Sequence, residues 1–204
     1  NHGKIVLQGN VKDLSITGSV TDSGYYALRS AGAEGNYLSI LIANNVFRGF
    51  ASGGIYLRDV SNVNVIGNEI VSGNSANNRG LTGVYIAETM DSLYIQKNKI
   101  YLVDDKQGAK RGVQLESVMG TVTNPVFVVN NMISTYGNDS KGLTNINNKP
   151  ASVGIVIDSS STYVNVYFNS VRVRGSSAQT VAVNELTYGF FSGNTNTNIR
   201  VLNN

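Results

Sequence analysis

The chain has 204 residues, with 16 Lys and Arg against 13 Asp and Glu, and no cysteine. Charged residues make up 14% of it, below the roughly 25% of an ordinary soluble domain, whereas Gly reaches 22 and Asn 27. The missing cysteines exclude disulfides, Cys-ligated zinc and a thiol nucleophile; apolar runs fall short of the roughly 18 residues of a membrane helix; and the net charge of +3 is scattered over Lys4, Lys12, Lys97, Lys106, Lys110 and Arg111 rather than gathered into a nucleic-acid patch.

Residues 1–10 carry no apolar signal-peptide core, so the chain reads as mature, as a fragment, or as exported by information outside it. A first, degenerate repeat runs from Gly3 through Ile5, Leu7, Leu14 and Ile16 to Ser19. Gly24-Tyr25-Tyr26-Ala27 follows with Ile40, Ile42, Asn45 and Phe47, then Gly54-Ile55-Tyr56-Leu57 with Val63, Val65, Asn68 and Ile70. Gly83-Val84-Tyr85-Ile86 leads to Leu93, Ile95, Asn98 and Ile100, and Gly112-Val113-Gln114-Leu115 to Val126, Val128, Asn131 and Ile133. Gly154-Ile155-Val156-Ile157 leads to Val164, Val166, Asn169 and Val171, and Gly189-Phe190-Phe191-Ser192 to Ile199, Val201 and Asn204.

The turn markers at 19, 45, 68, 98, 131, 169 and 204 keep a fixed core string between loops of changing length. That is solenoid behaviour, because every coil must show its neighbours the same inward residues while insertions bulge outward. Each apolar, any, apolar triplet has the period of a strand and is too short for a helix. Identical triplets stacked at about 4.8 Å would form a parallel sheet over aliphatic columns. Asn45, Asn68, Asn98, Asn131, Asn169 and Asn204 are expected to take left-handed angles at a sharp corner and to bond one another as a buried ladder, unless they are plain exposed turn residues. The expected architecture is all-β, a right-handed single-stranded parallel β-helix of about seven coils forming one domain over residues 1–204. Since the last marker is Asn204 itself, the chain reads as part of a longer solenoid whose further coils or domains pair with it.

The Gly start and Asn corner resemble the repeats of the pectate-lyase-like parallel β-helix superfamily, over nearly the whole chain. That resemblance implies a fold shared by lyases, glycoside hydrolases, tailspikes and adhesins, and does not choose among them.

If the residues one and three after each Gly point inward, the residue two after it heads an outer lane of Tyr26, Tyr56, Tyr85, Gln114, Val156 and Phe191. Three tyrosines on neighbouring coils would offer ring faces and hydroxyls to sugars, or else reflect only the strand propensity of aromatics. The next lane reads Leu28, Arg58, Ala87, Glu116, Asp158 and Gly193. There Glu116 and Asp158 form the best candidate catalytic pair, about 5 Å apart in the backbone, against the alternative of two solvated surface acids. Arg58 would bind an acidic sugar, and Arg29, Asp59 and Glu88 would border the groove or serve as turn charges.

The only histidine, His2, lies at the terminus, where disorder is the simpler expectation. Asp104, Asp105 and Asp139 form no EF-hand, so no cofactor is implied, with calcium on scattered loop acids as the one open case. Asn138-Asp139-Ser140 matches a glycosylation sequon by pattern alone. The stretches Ser72 to Arg79, Asp104 to Arg111 and Tyr136 to Ala151 are expected to form one partner-binding rim. The functional expectation is a secreted or cell-surface, bacterial β-helical protein that binds polysaccharide or cell-surface glycan, or serves as an adhesive stalk. Its rival is a polysaccharide lyase or glycoside hydrolase acting on acidic polysaccharide. Neither nucleic acid nor a membrane span is expected.

Overall fold

Apolar side chains two residues apart suit a strand, because successive Cβ atoms alternate between its faces. The computed structural model describes residues 3–30, 37–73, 80–104, 109–138, 152–158, 160–176 and 187–204, and every described core triplet lies in a β-strand. The protein is all-β: 17 strands belong to one sheet, and every described pairing is parallel. No helix of the described residues is long and apolar enough to cross a membrane.

Pairing sorts the strands into three rows. The first contains β1 (Gly3–Leu7), the ends of β3 (Val20–Ser30) and β5 (Val46–Arg58), the start of β8 (Leu81–Gln96), β10 (Lys110–Met119), β13 (Ser152–Ile157) and β16 (Thr187–Ser192). The second contains β2 (Val11–Thr17), β4 (Tyr37–Ala43), β6 (Val60–Ile66), the end of β8, β11 (Val126–Val129), β14 (Thr162–Tyr167) and β17 (Thr197–Leu202). The third contains the starts of β3 and β5, then β7 (Glu69–Ser72), β9 (Lys99–Asp104), β12 (Met132–Asn138) and β15 (Ser170–Ser176).

Like residues pair with like along each row, and the core follows from this register. Ile55, Val84, Val113 and Ile155 are in register and buried, as are Ile42, Val65, Ile95, Val128 and Val166. Each contributes about 1.5–3 kcal/mol by leaving water. Slipping any strand by one residue would turn its core set outward, so burial holds the register.

The repeated Gly is explained by space. A Cβ on Gly83 would stand 2.5 Å from Ile100 Cγ2 and 2.6 Å from the Gly112 carbonyl, and one on Gly54 would meet Ile70 and Gly83 in the same way. The first row starts where an aliphatic side chain of the third row already fills the Cβ position, so the marker residue has to be small.

In backbone conformation and register the structure differs from the sequence reading at two places. The ladder asparagines are not left-handed; the residue before each is, at Asn44 (φ 55°), Gly67 (65°), Lys97 (56°), Asn130 (55°), Phe168 (55°) and Asn203 (53°). The chain turns one residue early, and the Asn that follows can direct its amide inward.

The second difference is in β3. Leu28 pairs with Ile55 and Arg29 with Tyr56, so Ala27, not Gly24, stands where Gly54 stands, and Leu28 is core rather than part of an outer lane. Gly24 (φ 120°) serves the register shift between Gly24 and Tyr26, a bulge for which only glycine is cheap.

Candidate functional site

The corner asparagines form a continuous chain of bonds. Asn45 Nδ2 donates to Asn68 Oδ1 (3.0 Å), Asn68 to Asn98 (2.9 Å), Asn98 to Asn131 (3.0 Å), Asn131 to Asn169 (2.9 Å) and Asn169 to Asn204 (2.9 Å). Each accepting oxygen also takes the donor's own backbone N–H, and each Nδ2 donates a second time to a carbonyl such as Ile42 or Val65. Asn45 to Asn169 are buried and Asn204 is exposed. A buried amide with all its groups bonded fixes geometry without an orphan penalty, so these residues hold the scaffold.

The outer side of the first row carries the tyrosines. Tyr56 and Tyr85 pair in register, and their rings stack with centroids 4.5 Å apart and an interplanar angle of 13°. Tyr26 joins from out of register: it pairs with Gly53, where a Cβ would stand 2.8 Å from its ring, and its centroid lies 5.0 Å from that of Tyr56 at 48°. Arg29 Cζ sits 5.8 Å from the Tyr26 centroid. Because Tyr56 and Tyr85 turn their faces to one another, the strip presents ring edges and hydroxyls outward.

Tyr85 donates its hydroxyl to Glu116 Oε2 at 2.8 Å. Burial, then this bond and the Glu116 charge, push the phenol far above its usual range, so it stays a donor. Burial likewise raises Tyr26, against the opposing hydrogen bond with Ser52.

Glu116 and Asp158 are neighbours, since Leu115 pairs with Ile157, but their surroundings differ. Glu116 is half-buried against Tyr85, whereas Asp158 is 2% exposed and accepts from Gln114 Nε2 at 2.7 Å. Gln114 in turn accepts from Arg111 at 3.0 Å. Of the two carboxylates, only Glu116 is reachable from outside. Arg58 is ion-paired with Glu88, both side chains 45% exposed.

Asp59 and Glu88 come closer to an acid–base arrangement than the pair singled out from sequence. The corner after the first row is left-handed at Asp59 (φ 54°), Glu88 (54°) and Ser117 (52°), which brings their side chains together on adjacent strands. Burial, then the hydrogen bond and charge of Glu88, raise Asp59. Glu88 is lowered first by its bond to Arg58. The two border a groove of about 410 Å³ with Ser61, Met90, Ser117 and Met119. Neither spacing nor residue type marks this pair in the sequence beyond its place after the Gly strings; the turn geometry assembles it.

Among the described residues no three His, Asp or Glu side chains gather to hold a metal. His2, Asp105, Asp139, the sequon's glycosylation-accepting surroundings and most of the three long loops lie outside the described residues. No family model, no curated protein and no solved structure matches the chain.

Proposed function

We propose that the chain is a right-handed parallel β-helix of the pectate-lyase-like type, from a secreted or cell-surface bacterial protein, that binds neutral carbohydrate along the outer side of the first row. The helical path is supported by the parallel, in-register pairing of successive repeats and by the asparagine chain. Its hand follows from the general rule for parallel crossovers. A stalk or adhesin needs this kind of rigid, repetitive frame.

The observation that carries the ligand is the Tyr56, Tyr85 and Glu116 cluster. Stacked rings end in hydroxyls beside a half-buried carboxylate, and the buried Gln114 on the next strand backs them. Sugar hydroxyls are recognised by such groups, held in place by packing and each keeping an unused lone pair or proton. Charge argues for a neutral sugar, because Arg58 is taken by Glu88 and Arg111 by Gln114.

The rival, a lyase or glycoside hydrolase of acidic polysaccharide using Glu116, Asp158 and Arg58, is weakened by the burial of Asp158 and the pairing of Arg58. A hydrolytic reading draws more support from Asp59 and Glu88, whose titrations are pushed apart beside the groove.

Affinity electrophoresis against neutral glucans, mannans, galactans and xylans tests the proposal. Retardation by at least one polymer, lost in Tyr56→Ala/Tyr85→Ala with its fold checked by circular dichroism, is expected. Retardation by none, or equal retardation of the variant, rejects it. Release of reducing ends that disappears in Glu88→Gln would replace it with the hydrolase.

A further inference from the structure

The outer side of the third row has a different chemistry. Lys99 and Tyr101 face outward on β9, Ser134 and Tyr136 on β12, and Arg172 and Arg174 on β15. Register aligns Tyr101 with Ser134 and Arg172, and Val103 with Tyr136 and Arg174. Lys97 stands exposed at the adjoining corner.

Nearer the N-terminus the same row is neutralised, with Arg48 bonded to Glu69 at 2.9 Å. Beyond it, Lys97, Lys99, Arg172 and Arg174 join no ion pair among the described residues. Strand geometry puts the arginine Cα atoms about 7 Å apart on β15 and Lys99 about 12–16 Å from them. Lys99, Arg172 and Arg174 thus share one face with hydroxyl-bearing side chains between them, Lys97 standing at its corner; the one acid paired in register with any of them is Glu69 beside Lys99, already bonded to Arg48, and neither arginine has an ion-pair partner among the described residues.

We propose that this face binds an acidic polysaccharide, carboxylated or sulfated, laid across β9, β12 and β15. Guanidinium forks of Arg172 and Arg174 match a carboxylate or sulfate bidentately, and the Lys97 and Lys99 ammonium groups supply point charges to a second acidic sugar. Ser134 and Tyr136 meet the hydroxyls between. A single-stranded nucleic acid fits less well, because it needs a run of raised aromatic faces for successive bases, and the exposed Tyr136 is a single one. Tyr101 is half-buried with its hydroxyl reaching across to Met132 Sδ (3.9 Å), so its ring lies along the sheet. The face is separate from the tyrosine strip and does not depend on it.

Binding to immobilised heparin and to polygalacturonate, each compared with a neutral glucan and with single-stranded homopolymer DNA, tests the proposal. Wild-type protein should bind one or both acidic glycans, more weakly as salt rises, because exposed charges are screened. Arg172→Glu/Arg174→Glu should lower that affinity by roughly tenfold or more, and Lys97→Gln/Lys99→Gln by less. All four side chains are exposed, so folding is not at risk, and Tyr56→Ala/Tyr85→Ala should bind the acidic glycans as wild type does. Preference for heparin over polygalacturonate assigns sulfate, and the reverse assigns carboxylate. No binding to either acidic glycan, no effect of the arginine reversals, loss of binding in the tyrosine variant, or DNA binding as tight as glycan binding would each overturn it.

Discussion

Asn98 donates twice to a single atom, Oδ1 of Asn131, once from its side-chain amide and once from its own backbone N–H, both at 3.0 Å. Asn98 Oδ1 receives the same two bonds from Asn68, and its Nδ2 also reaches the Val65 carbonyl. Asn98→Ala therefore removes several bonds at once and leaves buried donors without acceptors. At about 1–3 kcal/mol for each orphaned group, the variant should lose at least about 4 kcal/mol in urea unfolding. Asn204→Ala, at an exposed position that water can fill, should lose far less.

Gly83→Ala should be costly for want of space. Its Cβ would press on Ile100 Cγ2 and the Gly112 carbonyl, and overpacking of this kind costs about 1–3 kcal/mol. Adding Ile100→Ala should recover part of the loss, so that thermal melts of the double variant fall short of the sum of the singles. Strict additivity would mean the carbonyl contact alone sets the cost.

Tyr85→Phe keeps the ring stacked on Tyr56 and removes only the bond to Glu116. A hydrogen bond to a charged group is worth about 1.5–3 kcal/mol when well shielded, and partial exposure should bring this to roughly 1 kcal/mol. A double-mutant cycle with Glu116→Gln should give a coupling of at least about 0.5 kcal/mol.

Asp59 and Glu88 make opposite contributions to stability as pH changes. The raised folded-state pKa of Asp59 gives stability that is present below its unfolded value and lost as pH rises through the folded one; the lowered Glu88 gives stability present above its unfolded value and lost as pH falls through the folded one. Asp59→Asn deletes the first contribution and keeps most of the second, because Arg58 is the larger cause of the Glu88 shift and the Asn amide can still donate to Glu88. Its melting temperature relative to wild type should therefore climb between about pH 3 and pH 7, and a flat difference would contradict the pairing.

Phe168 is 59% exposed and left-handed (φ 55°), at a corner where other repeats use Asn44, Asn130 and Asn203. The left-handed region costs roughly 1 kcal/mol for most residues and less for Asn, so Phe168→Asn should raise the urea midpoint.

The strands and the ladder positions were legible because both recur from repeat to repeat, with Ser19 alone replacing Asn among the markers. A triplet such as Val126 to Val128 has one use, and an Asn recurring at a fixed offset from it marks a corner. Gly24 misled because glycine has two uses here: it empties the Cβ position at Gly54 and permits a bulge at Gly24, and pattern alone does not separate them. The resulting offset put Leu28 on the surface and aligned Tyr26 with Tyr56. The burial of Asp158 was hidden because it depends on contacts such as that with Gln114, one repeat away. Asp59 and Glu88 were seen only as border charges, since what joins them is a left-handed corner conformation that Asp tolerates but Glu does not favour.

Sugar contact at the tyrosine strip is measured most directly by ring-carbon NMR of tyrosine-labelled protein titrated with an oligosaccharide of the polymer it binds, resonances being assigned with Tyr56→Phe and Tyr85→Phe. The account predicts saturable shifts of the Tyr56 and Tyr85 rings, with Tyr101 and Tyr167, on the other rows, unmoved. Shifts confined to Tyr101 or Tyr167, or saturation with Tyr56 and Tyr85 unchanged, would contradict it.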